Sequence, residues 1–396
     1  MKSMPALESL PLAGRTVFVR LDLNVPMNKG KIVSDARIVA SLPTLKHCLA
    51  EGARVAVASH LGRPQGRTAE DSLEPIAARL GELLGIEVIL ADDCIGDGVK
   101  GLMHTARPGQ LVVLENLRFH PEEERNDAAF AKMLAQPFDL YVNDAFGASH
   151  RAHASIVGMV RHCRQAAAGR LMAREVAALE RLLDTPAKPF VACVGGAKVT
   201  DKVGVLEALI GRVDTLLIGG AMAYTFLRTS NHKVGLSRLE EDRLRLAQDL
   251  LLRARDRGTR VLLPVDHVGA RTFSQEAEPI FVAQPDLPDD VMGLDIGPKT
   301  QKLFAEAVAA AKTVFWNGPM GVAEWPAFAK GTLALARAVA DCPGYTVVGG
   351  GDSIAALEAA GVVDAINHVS TGGGACLELL KFGTLPGIEA LKQGAR

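Results

Sequence analysis

The chain has 396 residues, 48% of them hydrophobic and 22% charged, with a formal net charge of −1. That length exceeds what one hydrophobic core serves and predicts two domains of similar size. Near-neutrality leaves no global field for nucleic acid or an acidic membrane, and no apolar run approaches the ~18 residues of a membrane span.

The opening MKSMPALESLPLAG lacks the basic-then-apolar pattern of a secretory signal. Apolar, β-rich runs then occur at Val17–Leu21, Arg54–Ser59, Leu111–Leu114 and Asp139–Val142. Between the first two, Ile38, Leu42, Leu45 and Leu49 recur at helical spacing behind a Ser34/Asp35 cap, with Pro43 inside as a possible kink. RLMAREVAALERLLD reads as one amphipathic helix with Leu171, Val176, Leu179 and Leu182/Leu183 on its apolar side, closed by Thr185-Pro186. It is the expected connector between domains. Further runs follow at Phe190–Val194, Thr215–Ile218, Val261–Leu263, Thr313–Trp316 and Tyr345–Val348, separated by helical patterns such as Arg238–Arg257. Short apolar strands alternating with helices imply parallel sheets covered on both faces. The cysteines Cys48, Cys94, Cys163, Cys193, Cys342 and Cys376 include no C-x-x-C pair. That argues against a zinc site or a disulfide framework and for a reducing, cytoplasmic setting.

In open α/β sheets, ligands bind beyond the carboxyl ends of the strands. In the first half those ends carry Asp22, Leu23 and Asn24; then His60, Leu61, Gly62 and Arg63; then Arg118; then Asp144, His150, Arg151 and His153. Guanidinium forks match carboxylate and phosphate, so such a rim, with Arg37 at a nearby helix start, suits a small polyanion. In the second half five strand ends run into glycine: Gly195-Gly196, Gly219-Gly220, Gly318 with Gly321, Gly349 to Gly351 and Gly372 to Gly374. Glycine turns before helices let backbone amides approach phosphates. Neither G-x-x-x-x-G-K-[ST] nor G-x-G-x-x-G is present, which excludes a P-loop enzyme and an ordinary dinucleotide-binding protein. Lys198 and Lys202, at i, i+4 spacing, would share one face if a helix began there. Asp352 is suited to bind a magnesium ion or to cap a helix, and Glu324 to accept from a ribose.

These residues lie in stretches that resemble phosphoglycerate kinase. VRLDLNVP, SDARI, SHLGRP, VVLENLRFHPEEE, NDAFGASHRAHAS, VGGAKVTDK, LLIGGAMAYTFL, GLDIGP, WNGPMGVAEW, GGGDS and VSTGGGACLELL occur in the family's order from about residue 14 to about residue 390. The resemblance implies transfer of the ATP γ-phosphoryl to 3-phosphoglycerate, and in glycolysis the reverse, from 1,3-bisphosphoglycerate to MgADP. It implies an α/β fold of two Rossmann-like, three-layer domains, each with a mainly parallel sheet, joined by a helix with a deep cleft between them. The expected limits are 1–168 for the phosphoglycerate domain, 169–185 for the helix and 186–383 for the nucleotide domain, with 384–396 packing back on the first. By matching motif, Asp22, Leu23, Asn24, Arg37, His60, Leu61, Gly62, Arg63, Arg118 and Arg151 would hold phosphoglycerate. Lys198, Lys202, Gly293, Glu324, Gly350, Gly351, Asp352 and Ser353 would hold the nucleotide, with Mg2+ on Asp352. Arg37, Lys198, Gly373 and Gly374 would meet the transferring phosphoryl group. A monomer without nucleic-acid or membrane partners is the family expectation. One departure is Lys381-Phe382-Gly383 after LELL, where the family usually has Glu-Gly-Lys.

Overall fold

The computed structural model describes residues 4–394, which divide into two compact units, 4–177 with 384–394 and 178–383. The first unit runs β1 (Thr16–Arg20), a hairpin of β2 (Met27–Asn28) and β3 (Lys31–Ile32), α1 (Ala36–Ala50), β4 (Arg54–Ala58), α2 (Glu74–Leu84), β5 (Val88–Leu90) and α3 (Asp97–Thr105). It continues with β6 (Leu111–Val113), α4 (Ala128–Ala135), β7 (Leu140–Asn143) and β8 (Gln165–Ala168). Helix α5 (Arg170–Leu183) then crosses the division, burying Leu171, Val176, Leu179 and Leu182 while Leu183 is half-buried.

The sheet order is β5-β6-β4-β1-β7-β8, and every pairing is parallel. The chain starts in the middle, winds through β4 out to β5 at the edge, steps back to β6 between them, and returns on the other side of β1 with β7 and β8. That reversal opens a crevice at the carboxyl ends beside β1. All five residues of β1 are buried, so both faces of the sheet are covered. On one face Val17, Val19, Val55, Val57, Leu111 and Val113 pack against Ile38, Leu42 and Leu45 of α1 and Ile76 and Leu80 of α2. Each such aliphatic side chain contributes roughly 1.5–3 kcal/mol on burial. On the other, Phe18 stacks on Tyr141 and meets the edge of Phe138.

Helix α1 runs unbroken through Pro43, and its cap differs from expectation. Asp35 is the N-cap residue but makes no capping hydrogen bond; its carboxylate accepts from Arg79 Nε and Nη2 at 3.0 and 2.8 Å. The side chain is thus drawn toward α2.

The second unit comprises β9 (Phe190–Val194), α6 (Val203–Leu209), β10 (Thr215–Ile218), α7 (Met222–Thr229), α8 (Leu244–Asp256), β11 (Arg260–Leu262), β12 (His267–Ala270), β13 (Ile280–Val282) and β14 (Met292–Ile296). It ends with α9 (Pro298–Ala309), β15 (Thr313–Asn317), α10 (Lys330–Ala340), β16 (Tyr345–Gly349), α11 (Gly351–Ala360), β17 (His368–Ser370) and α12 (Gly373–Phe382). Its parallel sheet, β11-β10-β9-β15-β16-β17, also starts in the middle, with β9 in the place of β1, but winds straight out through β10 to β11 before returning through β15, β16 and β17 on the other side. Trp316, Val314, Cys193 and Leu217 pack with Phe304, Val308, Leu335 and Val339 of α9 and α10. A separate antiparallel sheet, β13-β12-β14, stands beside it. The final helix, α13 (Pro386–Gly394), belongs to the first unit: it buries Ile388 and Leu391, and the Gly387 amide donates to Ser149 O at 2.9 Å.

The expectation of a helix over Arg238–Arg257 is corrected. Regular α-helix begins only at Leu244, after a three-residue 3-10 turn at Glu241–Arg243.

Candidate active site

Four neighbouring strands, β6, β4, β1 and β7, end on one edge of the first sheet, and the side chains beyond them enclose a cavity of about 310 Å³. It is lined by Asp22, Asn24, Arg37, His60, Gly62, Arg63, Arg118, Gly147, Ala148, His150, Arg151 and His153. Four arginines thus face a single carboxylate, Asp22. Arg37 Nη1 donates to Asn24 O at 2.8 Å and to Asp22 Oδ1 at 3.3 Å. Arg118 Nη1 donates to Gly62 O at 2.5 Å, and its Nε lies 3.1 Å from Glu124 Oε1. Leu23 and Leu61 are buried and do not line the cavity. Their amides donate to Ser59 Oγ and Asn116 Oδ1, which fixes the two turns as its floor. Asp144 also stays out: its Oδ1 accepts from the Met172 amide at 2.9 Å, anchoring the start of α5, and burial pushes its carboxyl up to about 6.

Below the cavity lies a polar network that sequence reading missed. Arg20 is fully buried inside β1, and its Nε donates to Ser155 Oγ at 2.8 Å. Ser155 Oγ in turn donates to Glu123 Oε1 at 2.5 Å, and Glu123 is fully buried. Arg20 Nη2 lies 3.2 Å from His60 Nδ1. A guanidinium only donates, so Nδ1 accepts and the proton of neutral His60 sits on Nε2. Burial first, then Arg20 and Arg118, hold His60 well below its ordinary value. The cavity therefore presents a neutral imidazole donor among permanent cations.

Burial and the same arginines, together with Arg151 and His150, bring His153 down to about 4, against the pull of Glu123 Oε1 at 3.9 Å from Nδ1. Below about pH 6.5 the unfolded chain takes up a proton that folded His153 refuses, so the contribution of this group to stability falls on acidification. His153 alone should account for about 2 kcal/mol by about pH 5. Asp144 works the other way, since a raised carboxyl favours the folded state in acid and loses that contribution as pH rises through about 6. Buried Asp295, pushed up to about 7, opposes it likewise, so the effect of His153 is read as a difference: His153→Gln should gain urea midpoint relative to the wild type on going from about pH 7 to pH 5, and the same pH dependence in both proteins would refute the assignment.

The second unit holds a cavity of about 560 Å³ beside the ends of β9, β10 and β15 and against β14. Of the expected residues, Gly293, Glu324 and Asp352 line it, together with Gly196, Gly220, Tyr224, Leu236, Arg238, Phe273 and Met320. Its apolar walls and few polar groups suit a flat ring with a sugar at one end. Tyr224 is held from behind: His267 Nε2 donates to Pro285 O at 3.0 Å, leaving Nδ1 to accept from the Tyr224 hydroxyl at 3.3 Å. The glycines have a second reason to be there. A methyl group on Gly195 would overlap the Pro319 carbonyl, and one on Gly318 would overlap the Gly195 carbonyl. Packing of turn on turn, as well as approach to a ligand, demands them.

Lys198, Lys202, Gly350, Gly351, Ser353, Gly373 and Gly374 do not line this cavity. Some of them form a polar group at the ends of β15, β16 and β17. Lys202 Nζ donates to Asn317 Oδ1, and Asn317 Nδ2 donates to Gly349 O at 2.7 Å. Asn317, another residue sequence reading missed, so joins Lys202 to the β16 turn. Burial lowers the Lys202 ammonium while Asp352 and Asp201 oppose that shift. The shared-face expectation for the two lysines is corrected, because α6 begins at Val203, Lys202 is its N-cap residue and Lys198 lies exposed in the preceding loop. Ser353 is buried and its Oγ accepts from the Gly318 amide at 2.7 Å, a supporting role for the β15 turn. Asp352 is exposed in the first turn of α11, whose N-cap position is taken by Gly350. Gly373 and Gly374 open α12 behind Gly372, so their amides belong to the first-turn donors that lack partners within the helix.

A family model described as phosphoglycerate kinase matches residues 7–382. The chain is 53% identical over 395 residues to a phosphoglycerate kinase of Anaeromyxobacter sp. (strain K), covering 99% of this chain and 100% of the relative. It is 50% identical to the cytosolic phosphoglycerate kinase of Triticum aestivum, with 99% of each chain covered. The solved phosphoglycerate kinase of Coxiella burnetii superposes with a TM-score of 0.90 at 40% identity, covering 99% of this chain and 100% of that one. That of Pyrococcus horikoshii OT3 gives 0.86 at 33%, covering 99% of both. The chain belongs to the phosphoglycerate kinase family and carries its activity, phosphoryl transfer between ATP and the carboxyl group of phosphoglycerate.

Proposed function

We propose that the arginine-lined cavity of the first unit takes 3-phosphoglycerate and 1,3-bisphosphoglycerate, and that the apolar cavity of the second takes ATP and ADP. The observation that carries this assignment is the chemical contrast between them. Four arginines and a neutral histidine favour a small polyanion in the first, whereas Tyr224, Phe273, Leu236 and Met320 favour a nucleobase in the second, with Glu324 at hand for the ribose. Asp22 and Asn24 would take the substrate's hydroxyl, and Arg63, Arg118 and Arg151 its phosphate.

The phosphates of the nucleotide would extend from that cavity toward Asp352, Lys202 and the turns at Gly350-Gly351 and Gly373-Gly374. Asp352 fits a hard divalent cation: it is an exposed carboxylate at a glycine turn, lining the cavity, and Mg2+ typically takes one or two carboxylates plus phosphate oxygens. Bound there, Mg2+ would neutralise phosphate charge. The remaining work falls to the chain itself. Phosphoryl transfer needs in-line placement and fixed positive charge around the equatorial oxygens, and Arg37, Lys198 and the first-turn amides of α12 would supply these. Arg37 and Lys198 belong to different units, so in this reading transfer would require the units to close on each other, which would also exclude water from the acyl phosphate. The domain limits 1–168 and 186–383, with α5 as the moving connector and 384–396 serving the first domain, follow from this reading. So do a cytoplasmic setting and a monomer. A relative described as cytosolic supports the former, and among the described residues no helix is long and apolar enough to cross a membrane.

A coupled assay with ATP and 3-phosphoglycerate, repeated across a Mg2+ titration, tests the whole assignment. Expected are saturable turnover, no activity in excess chelator, and calorimetric binding of 3-phosphoglycerate that Arg63→Ala abolishes while ADP binding persists. Loss of ADP binding in Arg63→Ala would overturn the division of substrates.

A further inference from the structure

Away from both cavities, the strand ends of the first unit gather three side chains of mixed donor type. β5 and β6 are parallel neighbours with Leu90 opposite Val113, so the segments leaving them run side by side. They bring Asp93 and Cys94 against His120, with one ligand atom from each residue within 4.8 Å of the other two. His120 Nε2 lies 2.7 Å from Asp93 Oδ1, and the Cys94 amide donates to that same oxygen at 2.6 Å. Cys94 is buried, while the His120 and Asp93 side chains are 25% and 40% exposed, giving the group a sulfur floor and an open mouth. The His120 ring is backed by Phe130, with centroids 5.2 Å apart. None of the three lines the phosphoglycerate cavity.

We propose that Asp93, Cys94 and His120 form a binding site for a borderline-soft divalent transition ion, Zn2+ foremost, with water completing the coordination shell. Thiolate and imidazole together select zinc over magnesium or calcium, and three protein ligands with an open fourth position are a recurrent zinc arrangement. Ligands at about 2.0–2.3 Å from a tetrahedral ion stand some 3.3–3.8 Å apart, so the existing group needs only side-chain adjustment. The exchange balances without any co-reactant. The ion takes the place of the proton between His120 Nε2 and Asp93 Oδ1, Cys94 coordinates as thiolate, and the displaced protons leave to water. In the metal-free protein, burial and the Asp93 carboxylate keep Cys94 a neutral thiol, so an unpaired thiolate does not occupy the site. A bound ion would tie the β5 loop to the turn that presents Arg118, two residues before His120. Its role there is to brace, and the phosphoryl transfer does not pass through it.

The test uses the reduced, metal-free full chain, titrated with Zn2+ against a chromophoric chelator. The expected result is one ion per chain, with affinity lowered at least about tenfold by Cys94→Ser and by His120→Gln, and unchanged by Cys163→Ser. Co2+ in place of zinc should give a near-ultraviolet sulfur-to-cobalt band that Cys94→Ser removes. Zn2+ should raise the melting temperature of the wild type and leave that of His120→Gln unmoved. If Cys94→Ser does not fold, His120→Gln at its partly exposed position decides alone. Sub-stoichiometric uptake, equal affinity in wild type and His120→Gln, or no cobalt–sulfur band in the wild type would each overturn the proposal.

Discussion

Arg37→Ala is expected to lower kcat by about two to three orders of magnitude while KM for the nucleotide changes little. The guanidinium is held at the rim of the phosphoglycerate cavity by the Asn24 carbonyl and Asp22, with its side chain still 35% exposed. A fixed cation so placed can meet charge that develops only as the phosphoryl group moves. Removing one preorganised donor of this kind costs about 2.7–4 kcal/mol of barrier. Every residue lining the nucleotide cavity lies in the other unit, so ground-state nucleotide binding has no direct contact to lose. Arg37→Lys keeps the charge and loses the planar fork, and should fall between wild type and alanine. Steady-state kinetics in both substrates, with unchanged thermal melting as the folding control, reads the outcome. A rise in nucleotide KM equal to the fall in kcat would mean that Arg37 serves binding alone.

Gly220→Ala is expected to destabilise the chain by about 2–5 kcal/mol and to weaken nucleotide binding as well. Gly220 has φ +69°, and a Cβ there would stand 2.6 Å from both the nitrogen and the oxygen of Gly196 and 3.0 Å from Pro319 O. The left-handed backbone costs an alanine roughly 1–2 kcal/mol, and forcing apart packed turns adds about 1–3 kcal/mol. Gly361 separates the two contributions, since it has φ +68° with nothing within 4 Å of an added Cβ. Gly361→Ala should therefore show only the conformational part. Urea midpoints for the two variants give the difference directly. Equal losses would mean that the contact between the β9 and β10 turns carries no weight.

Most of the two sheets was legible as apolar runs. β9 and β10 occupy the predicted spans, and β1, β4, β6, β7, β11, β15 and β16 differ from theirs by one residue at one end or both. The strands that were missed are short or weakly patterned. β5 and the antiparallel β12–β14 have three to five residues each, and β8 reads QAAA, too little to show a period. The site was legible wherever its residues follow a strand directly, as with Asn24, His60 and Arg63. It was hidden where a charged residue sits inside an apolar run, as Arg20 does, or inside an acidic run, as Glu123 does; both read as surface until a partner is known.

The sequence by itself determined the strand and helix alternation, the placement of arginines after the strands of the first half and glycines after those of the second, and through its ordered motifs the family. Those features are local, set by side-chain chemistry and period along a few residues. Only the tertiary structure decided which neighbours each group has. It aligned four strand ends into one cavity, gave Arg20 its histidine and, through Ser155, its glutamate, fixed the glycine turns by packing them on one another, and set Asp93 and Cys94 against His120, 27 and 26 positions further along the chain. The cysteine spacing holds no linear metal motif, whereas the pairing of β5 with β6 brings Asp93, Cys94 and His120 together in a way that no spacing records.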